Sequence, residues 1–129
     1  MSPLNDDLLV RTYPLLFADR NKSPVKTPMG CGFECGDGWF ALLWRLGQVV
    51  EPILRYMTED ERKDICAAQV KEKFGTLRFY MNRSTPEIDG IISDAEYESS
   101  VTCERCGEPG KARKGSWIKT RCDKCAAEK

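Results

Sequence analysis

The chain has 129 residues, with 20 Lys plus Arg, 20 Asp plus Glu and no histidine, so its formal net charge is zero. That length fits one domain, or a small domain carrying a metal module. The neutral balance excludes a uniformly basic nucleic-acid binder or an acidic tail as a description of the whole chain. The missing histidine excludes Ser-His and Cys-His nucleophiles and the usual proton shuttle at neutral pH.

No stretch approaches the roughly 20 apolar residues of a membrane span. Met1 to Val10 carries Asp6 and Asp7 in place of the apolar run of a signal peptide. Seven cysteines, an odd number, include two C-x-x-C pairs. That pattern predicts metal ligands plus free thiols in a reducing compartment, hence a soluble, cytoplasmic protein.

Leu4 to Thr12 predicts a short helix with Leu4, Leu8 and Leu9 on one side, ended by Pro14. Asn21 to Met29, with Pro24 and Pro28, predicts a loop. Gly36-Asp37-Gly38-Trp39 predicts a helix start in which Asp37 caps the first-turn N–H groups. In the helix that follows, Trp39, Leu42, Leu43, Leu46 and Val50 form the core stripe. Pro52 cannot donate to the Gln48 carbonyl, which predicts a kink or a restart. Ile53, Leu54 and Met57 continue the buried face, and Thr58-Glu59-Asp60-Glu61 has capping-box spacing.

Ile65 to Met81 predicts a β-hairpin turning at Gly75. The placement of Gly75 after Phe74 predicts a longer or bulged loop rather than a two-residue one. Ser84-Thr85-Pro86-Glu87 opens a helix by a capping box and a first-turn proline, with Ile88, Ile91, Ile92, Ala95 and Ser99 facing inward.

The strongest pattern follows. Cys103-x2-Cys106, fifteen residues, then Cys122-x2-Cys125 is the layout of a zinc ribbon, in which two knuckles place four thiolates on one Zn²⁺. Gly107, Gly110 and Gly115 mark its turns and Ser116 to Thr120 a short strand. A closed four-thiolate shell is structural, because a catalytic zinc keeps a position open for water. Cys31, Cys35 and Cys66 remain; with Asp37 they are the material of a second metal site, against the plainer reading of loop thiols and a buried thiol.

From Cys103 onward there are eight basic and four acidic residues, a formal +4 that leaves −4 on the rest. Four thiolates with Zn²⁺ reduce the tail to about +2. Two surfaces are candidates for partners. Lys111, Arg113, Lys114, Lys119 and Arg121 around Trp117 suit a phosphate backbone with a stacked base. Phe40, Trp44 and Gly47 lie off the core face of the long helix and suit a protein partner, unless the N-terminal helix or the hairpin covers them. No phosphate-cradling glycine motif is present. The carboxylate clusters Glu59-Asp60-Glu61 and Asp94, Glu96, Glu98 read as solvated faces, and a cysteine nucleophile at the Asp37 helix start is the one enzymatic alternative.

Three stretches, Cys35-Gly-Asp-Gly-Trp39, Gln69-Val-Lys-Glu-Lys-Phe-Gly-Thr-Leu-Arg-Phe-Tyr80, and Cys103-x2-Cys-Gly-x-Pro-Gly110 with Trp117, Thr120 and Cys122-x2-Cys125, together resemble a family of small, largely uncharacterised bacteriophage and prophage proteins. The resemblance spans about Gly30 to Cys125 and leaves out Cys31. It implies a bacterial cytosolic setting and a zinc-ribbon end, and brings no catalytic or binding residue.

The expected architecture is α+β: helices on a small antiparallel sheet over residues 1–100, with a zinc ribbon at 101–129. The expected function is non-enzymatic binding of a bacterial protein complex, as an inhibitor of a defence or transcription machine. A nucleic-acid-binding regulator using the basic ribbon is the alternative. One structural Zn²⁺ is expected, and neither a membrane nor a small-molecule substrate.

Overall fold

The computed structural model describes residues 1–128. Lys129, the last of the eight basic residues counted from Cys103, lies outside the described residues. The fold is α+β: helices α1 (Pro3–Thr12), α2 (Phe40–Tyr56), α3 (Pro86–Ser99) and α4 (Asp123–Ala127), with strands β1 (Phe33–Glu34), β2 (Ala67–Lys73), β3 (Thr76–Met81), β4 (Lys111–Arg113) and β5 (Lys119–Arg121).

The first sheet has the order β1-β2-β3, and it is mixed rather than purely antiparallel. β2 and β3 form the hairpin, while β1 pairs parallel with β2, Phe33 opposite Val70. Two residues of strand carry no periodicity to read, so β1 is invisible to alternation counting. The hairpin turn also differs from expectation. Lys73 pairs with Thr76, which leaves a two-residue loop. Phe74 and Gly75 sit at φ 54° and 87°, the left-handed pair that matches strand twist in a tight hairpin. The bulge lies at the other end of the hairpin, between Ala67 and Gln69.

α2 buries the expected stripe of Trp39, Leu42, Leu43, Leu46 and Val50. It runs on through Pro52 without a restart. Pro52 and Gln48 are both exposed, so water can satisfy the carbonyl that proline leaves without a donor. Thr58 and Glu61 do exchange capping-box bonds of 2.8 and 3.1 Å, but they close a turn and no helix follows. α3 buries Ile88, Ile92, Ala95 and Ser99. Its cap is Thr85, which accepts from the Ile88 N–H, one residue later than the Ser84 box expected. α3 also completes the outer edge of β3: Ser99 Oγ accepts from the Leu77 N–H at 2.9 Å and Glu96 Oε2 from the Phe79 N–H at 2.9 Å. An edge satisfied by side chains cannot recruit another strand there.

Of the predicted α1 stripe only Leu9 is buried; Leu4 and Leu8 are exposed. α1 is fixed instead by its ends. Tyr13 and Phe17, just beyond it, are core residues, with Phe17 edge-on to Phe33 at 4.9 Å between ring centres. Glu51, 1% exposed, accepts the Leu15 and Leu16 N–H groups at 3.0 and 2.9 Å and so ties the α1–β1 connection to the middle of α2. Asp37 does not cap α2. Its Oδ1 accepts from the Ser2 N–H at 2.8 Å and the Asn5 side chain at 3.0 Å, at the start of α1.

β4 and β5 form a separate antiparallel pair, Ala112 opposite Thr120. The strand predicted over Ser116 to Thr120 begins only at Lys119, and Ser116 and Trp117 belong to the preceding loop.

Candidate metal centre

Four thiols converge where the β4–β5 pair meets the two C-x-x-C turns. The sulfurs of Cys103, Cys106, Cys122 and Cys125 all lie within 4.8 Å of one another, and none is in a disulfide. Local chemistry builds each turn. In the first, the Gly107 N–H donates to the Cys103 carbonyl at 2.9 Å, with Gly107 at φ 84°, a conformation that glycine adopts without strain. In the second, Cys122 caps α4, its sulfur accepting from the Cys125 N–H at 3.3 Å.

The set fits a tetrahedral metal. Bonds of about 2.3 Å to a central ion place sulfurs about 3.8 Å apart, and the Cys106 and Cys122 sulfurs stand 3.6 Å apart. Burial opposes ionisation of Cys103, yet the backbone N–H groups of Cys122, Cys106 and Arg105 point at its sulfur and bring its pKa down to about 6. Burial and the neighbouring thiols push Cys125 up to about 12. An ion bound here requires all four as thiolates, so loading releases protons. The four cysteines can therefore hold a metal ion. Cys103 and Cys125 are buried, and Cys106 is exposed on the rim.

Two clasps hold this cysteine module against the rest of the fold. The first uses the residues before α2. The Gly38 N–H donates to the Glu104 carbonyl at 2.7 Å, and the Gly36 N–H to Glu104 Oε2 at 2.8 Å. The Trp39 indole donates to the Thr102 carbonyl at 2.9 Å. Glu104 is buried, and its other oxygen, Oε1, faces only the Arg121 guanidinium at 3.6 Å. The second clasp is the hairpin tip. Thr120 Oγ1 donates to the Gly75 carbonyl at 2.6 Å and Lys119 pairs with Glu72 at 2.8 Å. Sequence reasoning missed both clasps. The signal was Gly-x-Gly-Trp, a run in which two residues lack side chains beside one with the largest.

The other three cysteines are not gathered. Among the described residues no second group of three or more ligating side chains comes within the same distance. Cys31 is exposed. Cys35 is buried, and burial together with the Glu104 charge pushes its thiol up to about 12, far from a thiolate nucleophile. Cys66 is buried, receives an Asn82 N–H at 3.3 Å, and is also pushed up, first by burial.

The basic set divides. Arg113 pairs with Asp123 at 2.7 Å and donates to the Arg121 carbonyl; Lys119 and Arg121 face Glu72 and Glu104. These three hold the module together. Lys111 and Lys114 are exposed, and Trp117 is 81% exposed. On α2, Tyr13 covers one side of the proposed stripe. Its ring lies over Gly47, edge-on to Trp44 at 5.3 Å, and its hydroxyl donates to the Trp44 carbonyl at 2.8 Å. Trp44 and Phe40 stay half-buried and line an apolar hollow of about 310 Å³ with Leu8, Ala41 and Arg45. Among the described residues no helix is long and apolar enough to cross a membrane. No protein-family model, curated protein or solved structure matches the chain.

Proposed function

We propose that the chain is a non-enzymatic protein-binding module whose C-terminal part is a zinc ribbon with a structural role. The all-sulfur donor set, the near-tetrahedral spacing and the closed shell suit Zn²⁺. The observation that carries the binding reading is the α2 hollow. Phe40 and Trp44 are braced there, their ring centres 5.7 Å apart with Tyr13 behind, and their outer faces are left to solvent. A pre-ordered aromatic pair loses little side-chain entropy on docking, which is why such pairs dominate protein interfaces. The partner we propose is a bacterial protein complex, on the resemblance of the three motif stretches to phage and prophage proteins, with inhibition of a defence or transcription machine as the consequence.

The test is an affinity capture from bacterial lysate treated with nuclease, comparing the native chain with Ala41→Arg. Ala41 is exposed at the hollow, so arginine fills it without removing any core contact. A stoichiometric protein retained by the native chain and lost with Ala41→Arg supports the reading. Equal retention by both overturns the assignment of this face. Metal analysis completes the test, with one zinc per chain as the expected content.

A further inference from the structure

The hairpin tip and the loop before β5 share a second hollow, of about 360 Å³, in which Phe74 and Trp117 are the large side chains. Both are exposed, Phe74 at 67% and Trp117 at 81%. Phe74 is in an unfavourable backbone state. At φ 54° it occupies the first position of a tight hairpin turn, where Asn, Asp and Gly are the residues that fit without strain. An exposed phenylalanine returns little packing for that cost. Strain retained at an exposed aromatic points to a role outside the fold.

The surroundings identify the occupant. Residues 71–74 and 111–121 together carry seven basic residues and one acid, Glu72. Lys119, Arg121 and Arg113 face Glu72, Glu104 and Asp123. Lys71, Lys73, Lys111 and Lys114 have no carboxylate within ion-pair distance among the described residues, and of these Lys73 lines the hollow while Lys114 adjoins its wall at Gly115. The Lys73 ammonium lies 5.6 Å from the centre of the Phe74 ring. Protein interfaces are depleted in lysine, whereas aromatic platforms rimmed by cations are how single-stranded nucleic acids are held, bases on the rings and phosphates on the lysines. A duplex keeps its base faces stacked inside and offers nothing to these rings.

We infer that the Phe74–Trp117 hollow is a binding site for single-stranded nucleic acid, with bases stacked on the two aromatics, Lys73 on a phosphate, and the unpaired Lys71, Lys111 and Lys114 of the flanking segments adding positive charge for the strand that runs out of the hollow. This site is separate from the α2 hollow, and each can fail without the other.

The test is fluorescence anisotropy of the full chain with a labelled single-stranded DNA of mixed sequence, about 20 nucleotides long, beside the same sequence as duplex. One phosphate contact at Lys73, rising to four as the flanking lysines engage, predicts that log K falls against log salt with a slope between about −0.7 and about −3. Trp117→Ala should weaken binding by about 10-fold or more. Phe74→Asn is the decisive variant. It should weaken binding to a similar degree while melting at the same or a higher temperature than the native chain, since asparagine suits the turn. Ala41→Arg should bind the strand normally. No single-strand binding at low salt, equal binding of the duplex, or unchanged affinity in both Phe74→Asn and Trp117→Ala would each overturn the inference.

Discussion

Gly38 lies against Cys103 so closely that a Cβ on it would stand 2.2 Å from the Cys103 carbonyl oxygen. That oxygen is backbone and cannot swing away. Gly38→Ala must therefore push the first cysteine turn off the start of α2. The expected cost is about 1–3 kcal/mol, the range for overpacking a tight site, together with weaker metal retention. Thermal melting and competition with a chelating dye measure the two effects. Gly90→Ala is the control, because a Cβ there meets nothing within 4 Å; relieving a helical glycine should leave the protein unchanged or slightly more stable.

Chelation of the metal should separate the molecule into two responses. Residues 102–127 should lose their dispersed amide signals, because ligand binding and folding are one event in a shell of this kind. The core of α2, α3 and the β2–β3 hairpin should keep its signals, since its burial of Leu43, Val50, Leu77 and Ile88 does not involve the thiols. Unchanged amide spectra from residues 102–127 after metal removal would contradict the structural role proposed for the ion.

Glu72 gives the second clasp a pH signature. Burial disfavours its charged form, but the Lys119 ammonium and the Gly75 N–H outweigh that and hold its carboxyl below the ordinary 4.5. A carboxylate whose pKa is lowered by folding stabilises the fold above its unfolded value and loses that contribution as pH falls through the folded one. The clasp should thus be intact above pH 4.5 and loosen below it. In Glu72→Gln the part of the acid destabilisation that arises here should vanish. An identical acid limb in the variant's melting temperatures would count against the clasp.

Glu51→Gln tests the tie between α2 and the α1–β1 connection. The carboxylate satisfies the Leu15 and Leu16 N–H groups, one with each oxygen. A carboxamide can accept only one of them and turns its own N–H₂ toward the other. The expected loss is about 1–3 kcal/mol, the cost of a buried unsatisfied donor. Arg55, at 3.9 Å from Glu51 and largely exposed, should matter little when replaced.

Features set by local periodicity were legible in the sequence. The stripe of Trp39 to Val50 is buried as the 3.6-residue repeat requires, and so are Ile88, Ile92, Ala95 and Ser99 of the α3 stripe, with Ile91 half-buried at its edge. The four cysteines converge as their spacing requires. What escaped were features whose partner lies far along the chain. Asp37 has capping chemistry, yet Ser2 and Asn5 reach it across more than 30 residues. Phe74 was a poor candidate for a two-residue turn by propensity, and the register Lys73 to Thr76 imposed it regardless. Arg113, Lys119 and Arg121 looked like a surface for phosphates because their acids sit elsewhere in sequence or on a neighbouring turn.

The first clasp spans 68 residues between Gly36 and Glu104, and the second 45 between Gly75 and Thr120. Contacts of such separation form late, because loop closure must precede any reward from them. During synthesis the α2 start and the hairpin tip leave the ribosome well before the cysteines do. Until Thr102 and Glu104 have emerged, the amides of Gly36 and Gly38 and the indole of Trp39 lack their acceptors. On the zinc reading proposed above, an ion on the adjoining Cys103 and Cys106 would hold those two acceptors in place. On that same reading, zinc starvation would leave the first clasp open and the unpaired amides exposed to proteases.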